Sequence, residues 1–484
     1  MRLIEVLLGD EYVFDTDVID GELDIAGLTC DSRAVRPGYL FAALPGAHVD
    51  GRDFIPAAAE KGAAIVLAPV GTRVDGIPVL EDANVRQRFA RMAANFYRAQ
   101  PAHVAAITGT NGKTSTASFL RQIWQRLGHK SASVGTLGVH GVGFDEPGKL
   151  TTPDPVQLHE TLARLADAGV DHLAMEASSH GLEQFRLDGV RIQAAGFTNI
   201  SRDHLDYHGT MSAYLAAKLR LFSQVVSSGG AAVINADSPE GHEITAVALK
   251  RGLRVLTYGR EGRDIRLVDQ VPHGDGQTLS VQIDADGFEV NLPLAGGFQA
   301  ENALCALGLA LAMGADVKAA VAALEFLDGV PGRLQKVGKV GGAAVYVDYA
   351  HTPDALQTVL QALRPHATGK LHVLFGCGGD RDAGKRPQMG AIAAKFADRV
   401  IVTDDNPRSE DPDLIRAEIM AACPSAREIG DRRQAIREAV CGLGDGDVLV
   451  LAGKGHEQGQ IIGDEVRSFD DVAEAAAVMK EVGA

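Results

Sequence analysis

The feature that most limits what this 484-residue chain can fold into is a glycine loop set between an apolar run and an amphipathic stretch. Residues 109–115 read GTNGKTS; the apolar run is 104–108, and the helical periodicity that follows ends near Leu127. Strand, glycine loop and helix in that order make a phosphate cradle. Gly109 and Gly112 let backbone N–H groups approach an anion, and the helix N-terminus adds positive potential. Lys113 can reach terminal phosphates and Thr114 offers a hydroxyl to Mg²⁺. With Thr110, Asn111 and Ser115 completing the segment, ATP is the expected ligand. The common pattern places its first glycine five positions before the second, where this chain has Ile107, and Gly109 lies only three before Gly112. The competing reading is a plain strand-to-helix turn with Lys113 on the surface.

Around this loop, apolar strand-like runs alternate with helical ones. Short runs at 39–43, 63–68 and 77–80, then a helical stretch over 84–98 closed by Pro101, predict a small α/β domain over residues 1–100. Runs at 132–134, 173–175, 194–197, 231–234 and 255–258 predict a mostly parallel sheet covered on both faces. Alternation between 264 and 294 predicts an antiparallel ribbon, and a helix follows over 300–313. Glycines near 329–342 mark a boundary at about Arg333. Beyond it, strands at 344–347, 371–375, 399–403 and 448–451 alternate with helices in a Rossmann-like order. The expected fold class is therefore α/β with three domains: 1–100, a central phosphate-loop parallel sheet over 101–332, and a C-terminal Rossmann-like domain over 333–484.

Composition excludes several classes. A formal net charge of −16 argues against a nucleic-acid binder, which needs a lysine and arginine surplus. No apolar run approaches the roughly 20 residues needed to cross a bilayer, and the opening MRLIEVLLGDEY has acids where a secretory leader has its cleavage region. A cytoplasmic protein without membrane insertion is expected, and a monomer. The five cysteines lack C-x-x-C spacing, so reduced, mostly buried thiols are expected rather than zinc ligands or disulfides.

Polar clusters follow the strands, where open α/β sheets bind ligands. Glu176 ends one run and precedes ASSHG; SRDHLDYH, 201–208, follows the next. A carboxylate and His204 at adjacent strand ends, beside Thr114, suit a divalent metal, with magnesium favouring the oxygens. Solvated loop residues are the alternative. In the C-terminal part, four clusters at 348–351, 376–381, 404–408 and 453–457 each follow a strand and so share one sheet edge.

These residues carry a family resemblance. GTNGKTS, TTPD (151–154), MEASSHGL (175–182), FTNISRDHLDYHG (197–209), AAKLRLF (216–222), FQAENALCA (298–306), GRLQ (332–335), DYAHTPDAL (348–356) and GCGGDRDAGKRP together resemble the Mur ligase family, in the family's order and over nearly the whole chain. The shortened phosphate loop is the family's own form. DSRAVRPGYLFAALPG, 31–46, resembles the UDP-binding domain of the branch that adds the third peptide residue.

The resemblance implies ATP-dependent amide formation through an acyl phosphate, with Lys113, Glu176, His204 and Lys218 catalytic. It implies Mg²⁺ held by Thr114, Glu176, His204 and Lys218, the last carrying CO₂ as a carbamate (N6-carboxylysine); read alone, Lys218 would be a solvated helix lysine. Asn302, Arg333 and Asp348 match positions around ATP. Cys30, Ser32, Ala47, His48 and Val49 match the uridine end of a UDP-muramoyl dipeptide, and Thr151, Thr152, Ser178, Gln184 and Arg186 its pyrophosphate and peptide. Asp405-Asn406-Pro407-Arg408 resembles the signature of the meso-diaminopimelate-adding members, and Arg381, Gly453 and Glu457 match other amino-acid contacts. The chemistry agrees, because a guanidinium at Arg408 grips a distal carboxylate that lysine lacks. The alternatives are a lysine-adding or other member of the family, a folylpolyglutamate synthetase, and a non-catalytic nucleotide-binding protein on the same fold.

Overall fold

The computed structural model describes residues 1–7, 19–46, 49–274 and 276–483. The chain forms two compact units, residues 1–265 with 305–320, and residues 266–304 with 321–484.

In the first unit, strands β1 (Gly27–Thr29), β2 (Tyr39–Ala42), β3 (Ile65–Pro69) and β4 (Val79–Asp82) pair in parallel in sequence order. The expected runs at 39–43, 63–68 and 77–80 are β2 to β4; β1, only three residues long, left no comparable signal. Helix Val85–Tyr97 is capped by the Asn84 side chain, which accepts from the Gln87 N–H, and its Phe89, Met92 and Ala93 pack with Leu40, Leu67 and Leu80.

The larger sheet of this unit comprises β5 (His103–Thr108), β6 (Ser131–Gly135), β7 (Gly138–Gly141), β8 (Phe144–Glu146), β9 (His172–Glu176), β10 (Ile192–Phe197), β11 (Ala231–Asn235) and β12 (Arg254–Gly259). Their order is β12-β11-β10-β5-β9-β6-β7-β8. The strands from β12 to β6 are parallel, and β6, β9 and β11 are buried at every residue, as a sheet covered on both faces requires. The antiparallel strands β7 and β8 were not expected; both are short, and neither the glycines of β7 nor the single apolar residue of β8 makes an apolar alternation. Helix Lys113–Arg126 buries Phe119, Leu120, Ile123 and Trp124, worth roughly 1.5–3 kcal/mol per large side chain.

In the second unit, β13 (Ile265–His273), β14 (Gly276–Ile283) and β15 (Asp286–Leu292) form the expected ribbon, with β14 and β15 antiparallel. Helix Gly297–Ala312, whose residues from Cys305 onward belong to the first unit, begins three residues earlier than the sequence suggests. The remaining sheet contains β16 (Gln335–Val340), β17 (Ala343–Asp348), β18 (Leu371–Phe375), β19 (Arg399–Val402), β20 (Arg427–Glu428) and β21 (Val448–Ala452), in the order β16-β17-β21-β18-β19-β20. All its pairings are parallel except that of β16. Leu356, Leu360, Met389 and Ile419 belong to one apolar cluster and Ile436, Val440 and Val478 to another, so helices pack on both faces. A hairpin, β22 (Gly459–Ile462) and β23 (Glu465–Ser468), completes the unit. The fold is α/β, as the alternation of runs implies.

Candidate active site

Parallel pairing sets the first unit's site. Ile107 of β5 lies opposite Glu176 of β9, and Thr108 opposite Phe197 of β10. The phosphate loop therefore leaves its strand between the loop that begins at Glu176 and the loop that carries His204. Gly109 has φ 148°, and a Cβ there would sit 1.9 Å from Thr198 Oγ1, so only glycine lets the loop lie against β10. Thr110 N–H donates to Asn199 O (2.8 Å), and Asn111 N–H donates to Asn199 Oδ1 (3.0 Å). Those two amides serve the loop's own architecture. The first-turn amides of helix Lys113–Arg126 have no intrahelical acceptor and are the ones suited to an anion.

Two lysines converge on one carbonyl. Lys113 Nζ donates to Gly109 O (2.9 Å) and Thr110 O (2.8 Å), and Lys218 Nζ donates to the same Gly109 O (2.8 Å). Lys218 is buried, and its ammonium lies 4.3 Å from the centre of the Tyr214 ring. Burial, then the charge of Lys113, pushes the Lys218 pKa well below that of a free lysine. Helix Met211–Arg220, which carries Lys218, continues as a π-helical turn, Leu221–Val225, a distortion frequent at functional sites. Thr114 is half-buried, and Ser115 is buried in the same helical turn.

Glu176 is buried and held by Thr136, whose N–H donates to Oε1 (2.8 Å) and whose hydroxyl donates to Oε2 (3.1 Å). His204 adopts φ 52° as the residue before the short helix Leu205–His208. Its Nε2 is 3.5 Å from Asp203 Oδ2, and its ring meets His180 edge-on at 4.9 Å. Tyr214 OH links this aromatic group to Thr110 Oγ1 (3.1 Å). Thr136, Asn199 and Tyr214 were not among the expected site residues. A threonine, an asparagine and a tyrosine in loops or helices carry no local pattern that assigns them to a partner far along the chain.

The residues matched to the precursor's peptide and pyrophosphate form one network. Thr152 Oγ1 donates to Glu176 O (3.0 Å) and accepts from Ser178 N–H (3.0 Å). Thr151 Oγ1 lies 3.0 Å from Thr136 Oγ1. Arg186 donates to Thr152 O and Gln184 Oε1, each at 2.7 Å. Cys30, Ser32 and Val49 lie on loops after β1 and β2; Cys30 and Val49 are exposed. Ala47 and His48 lie outside the described residues. Cys305, Cys377 and Cys423 are buried, and Cys30 and Cys441 are exposed free thiols.

In the second unit, the four polar clusters all stand at the carboxyl edge of the sheet. Asp348 is buried and accepts from Leu334 N–H (2.7 Å) and Ala350 N–H (2.8 Å); burial still raises its pKa to about 6. Arg333 lies over the Tyr349 ring at 5.1 Å, its carbonyl accepts from Gln299 (3.2 Å), and Gln299 Oε1 accepts from Asn302 (3.1 Å). The three residues matched to ATP are thus joined within this unit.

Asp405 is buried, which raises its pKa, against the opposing charges of Arg432 and Lys454. Gly453 has φ 113°, and a Cβ there would fall 2.6 Å from Asp405 Oδ2. Asn406 is a hub: its Nδ2 donates to Glu457 Oε2 (3.0 Å), and its Oδ1 accepts from Lys454 Nζ (3.1 Å) and Ile461 N–H (3.0 Å). Pro407 is buried beside them. Arg408, at φ 52°, donates from Nη1 to Gly379 O (2.9 Å), closing the 404–408 loop on the 376–381 loop. Arg381 is exposed and donates to Asp380 O (3.2 Å). Lys454 and the fully buried pair Arg432 and Asp471 (2.6 Å) were missed. The signal for Lys454 was its place in a glycine-rich loop after a strand; the pair, 39 residues apart, had none.

Fold and site define a phosphate-loop α/β protein of the kind that handles nucleotides. Three family models match it: the Mur ligase family catalytic domain over residues 24–97, the Mur ligase middle domain over 107–310, and the Mur ligase glutamate ligase domain over 332–455. The chain belongs to the Mur ligase family. It is 56% identical over 471 residues to a UDP-N-acetylmuramoyl-L-alanyl-D-glutamate–2,6-diaminopimelate ligase of Caulobacter vibrioides, covering 95% of this chain and 96% of that one. Identity to the enzyme of the same name from Bradyrhizobium diazoefficiens is 53% over 480 residues, covering 98% of each. A solved structure of a ligase with this name superposes with a TM-score of 0.77 at 35% identity, covering 99% of both chains.

Proposed function

We propose that this chain is an ATP-dependent amide ligase that joins meso-2,6-diaminopimelate to UDP-N-acetylmuramoyl-L-alanyl-D-glutamate in peptidoglycan precursor synthesis. The observation that carries the reading is the meeting of Lys113 and Lys218 on Gly109 O, one strand away from Glu176. The Lys113 cation beside a helix N-terminus calls for a polyanion, and a triphosphate supplies it. The precursor carboxylate attacks the γ-phosphorus and ADP leaves; the amine then attacks the acyl carbon, and phosphate leaves as the amine loses a proton. Lys113 and the first-turn amides hold the transferring phosphoryl group; Asn302, Arg333 and Asp348 match nucleotide positions of the family.

Thr114, Glu176, His204 and Lys218 would hold Mg²⁺, which neutralises phosphate charge. The donor set fits, since each Glu176 oxygen retains a lone pair beyond its bond to Thr136. Burial lowers the Lys218 pKa and so makes its free-amine form more accessible; that form attacks CO₂, forming an N–C bond and releasing one proton, to give a carbamate oxygen ligand. Thr151, Thr152, Ser178, Gln184 and Arg186 bind the precursor's pyrophosphate and peptide, with Cys30, Ser32 and Val49 towards its uridine. Arg408 and Arg381 take the distal carboxylate of diaminopimelate, and Glu457 its ammonium group, framed by Gly453 and the 405–407 loop. The matches at 24–97, 107–310 and 332–455 support a division into domains 1–100, 101–332 and 333–484. The enzyme works as a cytoplasmic monomer on small molecules; among the described residues no helix is long and apolar enough to cross a membrane.

Phosphate release from ATP with the UDP-muramoyl dipeptide tests this, with meso-diaminopimelate and L-lysine compared as amines. Release with diaminopimelate alone is expected. Release with lysine would overturn the specificity, and release with neither would overturn the ligase.

A further inference from the structure

At the opposite edge of the larger sheet from the phosphate loop, three imidazoles and a carboxylate gather where β5, β6 and β9 begin. His172 is the first residue of β9, paired in register with His103 of β5 and Ser131 of β6. Asp171 precedes it, and His129 lies two residues before β6. The His129 and His172 rings are 4.0 Å apart, and His103 stacks on the other side of His172 at 4.4 Å. Asp171 Oδ1 is 3.0 Å from His172 Nδ1, and its Oδ2 is 4.0 Å from His129 Nδ1. One ligand atom from each of His129, Asp171 and His172 falls within 4.8 Å of the others, and among the described residues this is the one such group of three.

We infer that His129, Asp171 and His172 form a binding site for a divalent transition ion of the zinc class, remote from the site of ligation. Donors around tetrahedral zinc, at about 2.0–2.1 Å from the metal, lie roughly 3.3 Å apart. The cluster reaches that spacing by small side-chain rotations, which are available because His129 and Asp171 are 40% and 47% exposed while His172 is anchored at 8%. Two imidazoles and one carboxylate select zinc, cobalt, nickel or copper over magnesium or calcium. The third imidazole, His103, packs against the buried ligand, and its backbone N–H donates to Asp171 O (2.8 Å), which fixes the ligand-bearing turn. An ion held there ties the turn after helix Lys113–Arg126 to the start of the strand that ends in Glu176. It therefore clamps the scaffold of the phosphate loop from behind and takes no part in the chemistry.

The chain carries its own reporter. Its single tryptophan, Trp124, lies with its ring centre 4.9 Å from that of His172. The test is titration of the full-length protein with Co²⁺, in Mg²⁺ excess, followed by Trp124 emission and by the visible absorption of bound cobalt. Saturable quenching at one equivalent is expected, with Zn²⁺ reversing it and raising the thermal midpoint. His129→Gln, half-exposed and away from the phosphate loop, is expected to weaken binding by roughly 10-fold or more while leaving ligase activity unchanged; His204→Gln leaves the quenching in place. Quenching that survives His129→Gln, or that disappears with His204→Gln, would overturn the assignment, as would no saturable quenching in the unaltered protein.

Discussion

The phosphate-loop site of the first unit and the 404–408 site of the second both stand at the carboxyl ends of parallel strands, and they treat charge in opposite ways. In the first, Lys113 and Lys218 crowd one backbone carbonyl, while the nearby carboxylate of Glu176 is engaged by Thr136. In the second, Lys454 is shared between Asn406 and Glu457, Arg432 is paired with Asp471, and Arg416 with Asp404. A sheet edge can hold its cations on backbone carbonyls, as at Gly109 O, or pair several of them with carboxylates, as around Asn406. Cations held on a backbone carbonyl suit a polyanion that brings its own negative charge; a network of paired charges suits a zwitterion, which needs shape and paired partners more than net charge.

Four substitutions would break or sharpen that contrast. The largest effect belongs to the compensated side: Asp471→Ala leaves a fully buried guanidinium unpaired, and a loss of about 3–5 kcal/mol in chemical denaturation is expected. A loss below 1 kcal/mol would mean that Arg432 finds water or another acceptor. On the other side, Lys113→Ala should lower turnover by about 100- to 1,000-fold, with a smaller change in denaturation than Asp471→Ala, since its hydrogen bonds to Gly109 O and Thr110 O are local. Equal loss of stability would make Lys113 a structural cap.

Asp348 offers a pH readout. Its pKa of about 6 exceeds the ordinary 3.8, so the folded state holds the proton longer than the unfolded chain. Its contribution is full below the unfolded value, declines as pH rises from 4 to 6, and is flat above that; the span is about 3 kcal/mol at most. In Asp348→Asn this slope should vanish from the denaturation midpoints, and its persistence would assign it elsewhere. The smallest effect is that of Arg408→Ala, about 1.5–3 kcal/mol in kcat/KM for diaminopimelate, with KM for ATP unchanged. A matching change for ATP would show that Arg408 only fastens its loop to Gly379.

Much of this was legible in the sequence. Fully buried strands such as β9 and β11 appear as unbroken apolar runs, and the polar cluster after each announces a strand end. The glycines at 109 and 112 mark positions where a side chain has no room or the wrong handedness. Strands without an apolar run were hidden: β1 is three residues long, β7 carries two glycines, and the exposed hairpin of β22 and β23 has no buried face to impose a pattern. The site residues missed, Thr136, Lys454 and Arg432, act through partners 40, 48 and 39 positions away.

By itself, then, the sequence determined the α/β class, the glycine loop between strand and helix, the polar loops that follow the strands, and the family. The class and the loops rest on local composition and spacing, which chain connectivity alone preserves; the family rests on the resemblance of the ordered motifs. Only the tertiary structure decided that Lys218 shares a carbonyl with Lys113, that burial raises the Asp348 pKa to about 6, and that His103 and His129 meet at His172. Burial and through-space charge depend on which strands lie side by side, and strand order is a property of the packed sheet.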